Sequence, residues 1–283
     1  MPEISETPGQ PVVPAPSLSI GIIKAISLTA IYILVNIAFS FLLSRLTEGG
    51  MHSYEKLLIS IGMLAGIIVV MKAARITKAQ FISFLKPSGL NFSALLLLVS
   101  VPVFLQILGS ELLVWSREIF PWDDMYNKLM ETFGPDGSRA DLIGAFITMA
   151  VAGPLCEELL FRGVIQTDLE ARFSCRLAAP NFIQAFLFAL SHLNPWQTFY
   201  AFPVGLILAY IRHKTGSLFS PLAYHILNNF IAVLILYYFP DMRYFSPTSM
   251  EHLPLWLILP SVALLAASLF FMGRKKMDSQ TGS

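Results

Sequence analysis

Charge is scarce in this chain. Asp, Glu, Lys and Arg make up 13% of its 283 residues, against roughly 25% in an ordinary soluble domain. With 19 basic and 18 acidic residues the formal net charge is only +1, which excludes the basic footprint of a nucleic-acid binder. Cysteine is almost missing. Cys156 and Cys175 are too few for a disulfide framework or a metal knuckle, and Cys156, inside an apolar run, reads as a small buried thiol. No internal repeat and no H-E-x-x-H zinc motif is present. Residues 1–17 carry no basic stretch ahead of an apolar one, which argues against a cleaved signal peptide. Their richness in Pro, Ser and Glu predicts a disordered leader instead.

What the chain has is apolar sequence. Hydrophobic residues make up 55% of it and the mean hydropathy is +0.65. Crossing about 30 Å of hydrocarbon takes roughly 20 apolar residues. Eight segments approach that length, at 19–44, 57–73, 92–115, 142–165, 179–194, 197–212, 218–239 and 253–272. The expected fold is therefore all-α, a polytopic membrane bundle of about eight transmembrane helices. It would occupy 18–273, followed by a basic cytoplasmic tail at 274–283. With both termini placed in the cytoplasm, 13 of the 19 basic residues fall on inner segments and 6 on outer ones, the bias expected of an inner-membrane protein. The 162–178 segment, mixing charged and apolar residues, predicts either an extension of the fourth span or an amphipathic surface turn. The tryptophans Trp115, Trp122, Trp196 and Trp256 fall near outer ends, as an aromatic belt would.

Against this background, ionisable side chains inside spans are costly and mark function. Three clusters qualify. In CEELLFR, residues 156–162, Glu158 and Arg162 are four apart with Glu first, the favourable order for an ion pair on one helix face. Glu157 is rotated by about 100°, free to face a cavity and handle protons. Gly153 and Pro154 upstream loosen the helix and free a carbonyl near Ala150. In FLFALSH, Phe188 and His192 share a face of the fifth span. In YHILNN, His225 and Asn229 share a face of the seventh, with Asn228 beside them. An imidazole and a carboxamide side by side suit a developing oxyanion. Each cluster alone also fits a structural role, as polar residues commonly bond between helices. Together they place a carboxylate base, an imidazole and an imidazole–amide pair on three helices, which one hydrated cavity would satisfy.

E-E-x-x-x-R at Glu157–Arg162, F-x-x-x-H at Phe188–His192 and H-x-x-x-N at His225–Asn229, in this order on successive spans, resemble the CAAX protease and bacteriocin-processing family of intramembrane endopeptidases. The resemblance covers roughly residues 140–235. It implies hydrolysis of peptide bonds in membrane peptides or lipidated proteins. Glu157 would activate water with the help of His192, and His225 and Asn229 would stabilise the oxyanion. Glu158 and Arg162 would orient the base. The family resemblance admits either a zinc ion held by Glu157, His192 and His225 or a metal-free glutamate mechanism. The alternative from another class is a proton-coupled membrane transporter using the same Glu and His groups as a relay. It would need broken helices in matching halves, and Gly153-Pro154 and Pro203-Val204-Gly205 are not so related.

Overall fold

A computed structural model describes residues 18–46, 52–84, 92–173, 178–245 and 249–281. Among the described residues there is no β-strand. The eight apolar segments all fall on helices: α1 (Leu18–Leu46), α2 (His52–Ala73), α4 (Phe92–Ile119), the continuous run Arg139–Arg172, α9 (Ala178–Leu190), α10 (Pro195–Thr215), α11 (Phe219–Tyr238) and α12 (Leu255–Thr281). Two short helices, α3 (Lys78–Phe84) and α5 (Asp123–Phe133), lie between spans. The expected leader lies outside the described residues.

Five of these helical stretches, in α1, α2, Arg139–Arg172, α11 and α12, are long and apolar enough to cross a membrane. This is an integral membrane protein with a helical bundle. α9 has 13 residues, about 20 Å at 1.5 Å per residue, shorter than the hydrocarbon thickness.

The turn from α9 into α10 is set by local chemistry. The Asn194 side chain accepts from the Gln197 backbone N–H at 2.7 Å as an N-cap, and Pro195 follows at the first helical position, where its missing N–H costs nothing. Gly216, at φ 67°, ends α10 in the left-handed conformation, with Arg212, His213 and Lys214 in the last turn complementing the helix dipole. α10 lies against α9, and α1 against α2, while α4 packs on α10, α11 and α12.

The run Arg139–Arg172 is not a uniform α-helix. α6 (Arg139–Ala145) leads into a π-helical stretch, π1 (Phe146–Ala152). Then come α7 (Gly153–Glu157), a second π-helical stretch, π2 (Glu158–Gln166), and α8 (Thr167–Arg172). The 162–178 segment, as far as it is described, is helical through Arg172 and so extends the fourth span. It is tied down by Lys24 to Asp168 at 2.8 Å and Arg172 to Asp168 at 2.6 Å. All nine residues of π2 are buried, and the core around them includes Leu28, Ile67, Phe188 and Ala201 from four other helices.

Trp196 departs from the belt. It is fully buried, its Nε1–H donates to the Phe120 carbonyl at 3.0 Å, and its ring meets Tyr126 and Trp122 edge-on. Trp115, Trp122 and Trp256 are exposed, as lipid-facing rings would be.

Candidate active site

π-Helical turns insert one extra residue and often mark functional sites. Here the reason is visible in the chain. In an i→i+5 register the carbonyl that faces Pro154 is that of Met149, and proline has no N–H to give it. The Gly153 N–H bonds Thr148 O, five residues back. Met149 O accepts instead from Asn229 Nδ2 at 2.8 Å, across to α11. The freed carbonyl expected near Ala150 is thus one residue earlier, because the register is π rather than α.

Glu158 and Arg162 make the expected pair at 2.8 Å, both side chains fully buried. The guanidinium also donates to Gly205 O on α10 at 3.1 Å and lies 4.4 Å over the Phe188 ring. Gln184 Nε2 reaches the same carbonyl at 3.2 Å. That carbonyl is accessible because α9 and α10 touch closely: a Cβ on Gly205 would stand 3.0 Å from Phe188 Cδ1 and 3.1 Å from Ala185 Cα.

Glu158 does more than pair with Arg162. Its Oε1 also accepts from His225 Nδ1 at 2.9 Å. With Nδ1 donating to a carboxylate, the ring is held in one orientation and its Nε2 is aimed elsewhere. Nε2 faces Glu157 Oε2 at 3.6 Å, beyond direct hydrogen-bond length and within reach of a bridging water. Glu157 is the carboxylate with some exposure, at 15% against 0% for Glu158.

His192 is not on the regular helix. It lies in the turn after α9, and its Nδ1 is 2.9 Å from Phe188 O. Donation from Nδ1 to that carbonyl leaves Nε2 with a lone pair. Phe188 stands between the two imidazoles, edge-on to His192 at 5.0 Å and to His225 at 5.9 Å between ring centres. Among the described residues no three His, Cys, Asp or Glu side chains are placed to hold a metal ion. Glu157, His192 and His225 do not stand as a zinc ligand set in this arrangement.

Asn229 is held from its other side. Its Oδ1 accepts from Asn228 Nδ2 at 3.2 Å. Asn228 in turn bonds Tyr200 on α10 and Gln106 on α4. Neither Gln106 nor Tyr200 falls within the three motifs. Gln106 carries a usable signal, an amide in the middle of LLLLVSVPVFLQILG. Tyr200 carries none, since a tyrosine near a span end is ordinary.

The helices thus bring Glu157, His225, Glu158 and Arg162 into one array inside a helical membrane protein. Residues 139–231 match the family model of Type II CAAX prenyl endopeptidase Rce1-like proteins, a stretch containing Glu157, His192, His225 and Asn229. Over this segment, about a third of its length, the chain is similar to that family. A protein of Escherichia coli, named only as an uncharacterized 24.3 kDa protein, is 31% identical over 94 residues, 32% of this chain and 43% of that protein. The chain therefore matches less than half of that relative's length. No solved structure matches it.

Proposed function

We propose that this chain is a CAAX-type intramembrane endopeptidase acting on membrane-associated peptides or lipidated proteins. The observation that carries the reading is the array Glu157···His225–Glu158–Arg162, in which one carboxylate is partly exposed and the other is buried and orients the histidine between them. Glu157 takes a proton from water while the water oxygen adds to the scissile carbonyl carbon. His192 Nε2 accepts the second water hydrogen and holds it in line. The oxyanion receives hydrogen bonds from His225 Nε2 and the Asn229 amide; donation from Nε2 calls for the imidazolium form, since Nδ1–H is given to Glu158. Glu157 then passes its proton to the departing nitrogen as the C–N bond breaks, giving an acid and an amine.

The 13-to-6 distribution of basic residues supports an inner-membrane location with cytoplasmic termini. The test uses purified full-length protein and a panel of quenched fluorescent peptides, lipidated and not. Glu157→Gln should lower cleavage about 10²–10⁴-fold and Asn229→Ala about 10²–10³-fold, with unchanged thermal midpoints. Wild-type rates in Glu157→Gln would overturn the reading. Glu157-dependent proton uptake into proteoliposomes without cleavage would favour a carrier.

A further inference from the structure

Asn229 can serve an oxyanion only if its NH₂ end, not its carbonyl end, is presented. A carboxamide rotated by 180° fits the same space, so something must choose. The chain of bonds behind Asn229 does so. Gln106 Nε2 donates to Asn228 Oδ1 at 2.8 Å and to the Asn228 carbonyl at 2.8 Å. A donor at Oδ1 fixes the Asn228 amide, whose Nδ2 then gives its two hydrogens to Tyr200 OH at 3.1 Å and Asn229 Oδ1 at 3.2 Å. Asn229, accepting at Oδ1, must turn Nδ2 the other way. One of those hydrogens goes to Met149 O at 2.8 Å, the carbonyl that Pro154 leaves free. The second remains for a ligand.

We infer that Gln106, Asn228 and Tyr200 are positioning residues for the site, a relay that sets the polarity of the Asn229 amide from α4. Asn228 is almost wholly buried, so a wrong polarity anywhere would leave two donors or two acceptors facing one another, which buried groups do not tolerate cheaply. The fold makes room for the relay. A Cβ on Gly109 would lie 2.5 Å from Tyr200 Cε2, so only glycine at that place in α4 lets the tyrosine ring approach. Gln106 lies outside the 139–231 segment that matches the family model, so the relay joins the flanking helix to the matched core.

This inference rests on the oxyanion role proposed for Asn229, and a double-mutant cycle separates the two. Gln106→Met keeps the bulk and removes the donor. It should lower kcat about 10–100-fold, the usual range for a supporting hydrogen-bond partner, with KM changed less than about threefold. In an Asn229→Ala background the same substitution should change kcat by less than about twofold, because the amide it orients is gone. Tyr200→Phe, which removes one oxygen, should show the same pattern at smaller size and serves where Gln106→Met does not fold. A full kcat loss in the Asn229→Ala background, or none in the wild-type background, overturns the relay. Wild-type rates in Asn229→Ala alone would overturn the oxyanion assignment and the relay with it.

Discussion

Glu158 holds His225 by its Nδ1 at 2.9 Å with the same oxygen that accepts Arg162 at 2.8 Å. One buried oxygen thus fixes an imidazole and neutralises a guanidinium. Glu158→Gln keeps the shape and removes the charge. Cleavage should fall about 10–100-fold, chiefly in kcat, because an amide oxygen can still accept from His225 Nδ1 but no longer stabilises its cation as a carboxylate does. A variant with normal kcat would show that Glu158 serves Arg162 alone.

The ion pair itself predicts a separation of stability from activity. Both partners are fully buried, and removing one partner of such a pair costs about 3–5 kcal/mol because the other charge is stranded. Arg162→Met should therefore destabilise strongly, and Arg162→Met with Glu158→Gln should recover much of that loss. Activity should not return with it, since no carboxylate charge stands behind His225. Thermal unfolding in detergent beside cleavage rates measures both. An additive double variant would mean that the two side chains do not depend on one another.

Gly205 tests how tightly the site depends on the α9–α10 contact. Its absent Cβ would press on Phe188 and Ala185 at 3.0–3.1 Å. Phe188 carries the cation–π contact with Arg162 and stands edge-on to both histidines. Gly205→Ala should cost about 1–3 kcal/mol, as overpacking usually does, and should shift Phe188 away from its neighbours. Unchanged melting and cleavage would show that the helices part without consequence.

These dependences mark what could be read before the structure. The helices were legible because apolar runs of span length have few other folds open to them in a bilayer. The Glu158–Arg162 pair was legible because it is a spacing along one helix. Glu158 to His225 was not, since residues 67 apart meet only when two helices are docked, and neither periodicity nor spacing reports docking. The π turns were half legible. Pro154 announced a broken hydrogen bond, but whether the helix tightened, kinked or widened was decided by Asn229, a partner on another helix. Trp196 was misplaced in the belt because burial by α5 and the Phe120 turn is a tertiary fact.

A second buried charge, distant in sequence from the motifs, behaves differently. Lys56 Nζ donates to Asp141 at 2.5 Å, to Gly134 O at 2.6 Å and to Tyr237 OH at 2.9 Å, and Tyr237 OH donates to Asp141 Oδ2 at 2.6 Å. All three ammonium hydrogens are used, joining α2, α6 and α11. Lys56→Met should cost about 3–5 kcal/mol by stranding the buried Asp141 carboxylate, and Asp141→Asn added to it should restore part of that. Per folded molecule, kcat should not change. A kcat loss larger than the folded fraction explains would bring this cluster into the chemistry.

The exposed loop before α12 carries a pH-dependent contact. His252 Nδ1 bonds Glu111 Oε1 at 2.8 Å and its Nε2 bonds Glu118 Oε1 at 3.1 Å, with the Trp115 ring 5.3 Å away. Both ring nitrogens face carboxylates, so the imidazolium is favoured and the His252 pKa is raised from 6.5, by the Glu111 hydrogen bond first and the Glu118 one second. A raised folded value means that the histidine's contribution to stability is complete below about pH 6.5. It is lost as pH rises through the folded pKa. Titration of the imidazole by NMR should give a value above 6.5 in the wild type and close to it in Glu111→Gln with Glu118→Gln. The thermal midpoint should decline across the same interval in the wild type and stay level in His252→Gln. A His252 that titrates at 6.5 with both glutamates intact would show that the loop at 249–254 is not held to α4 by charge.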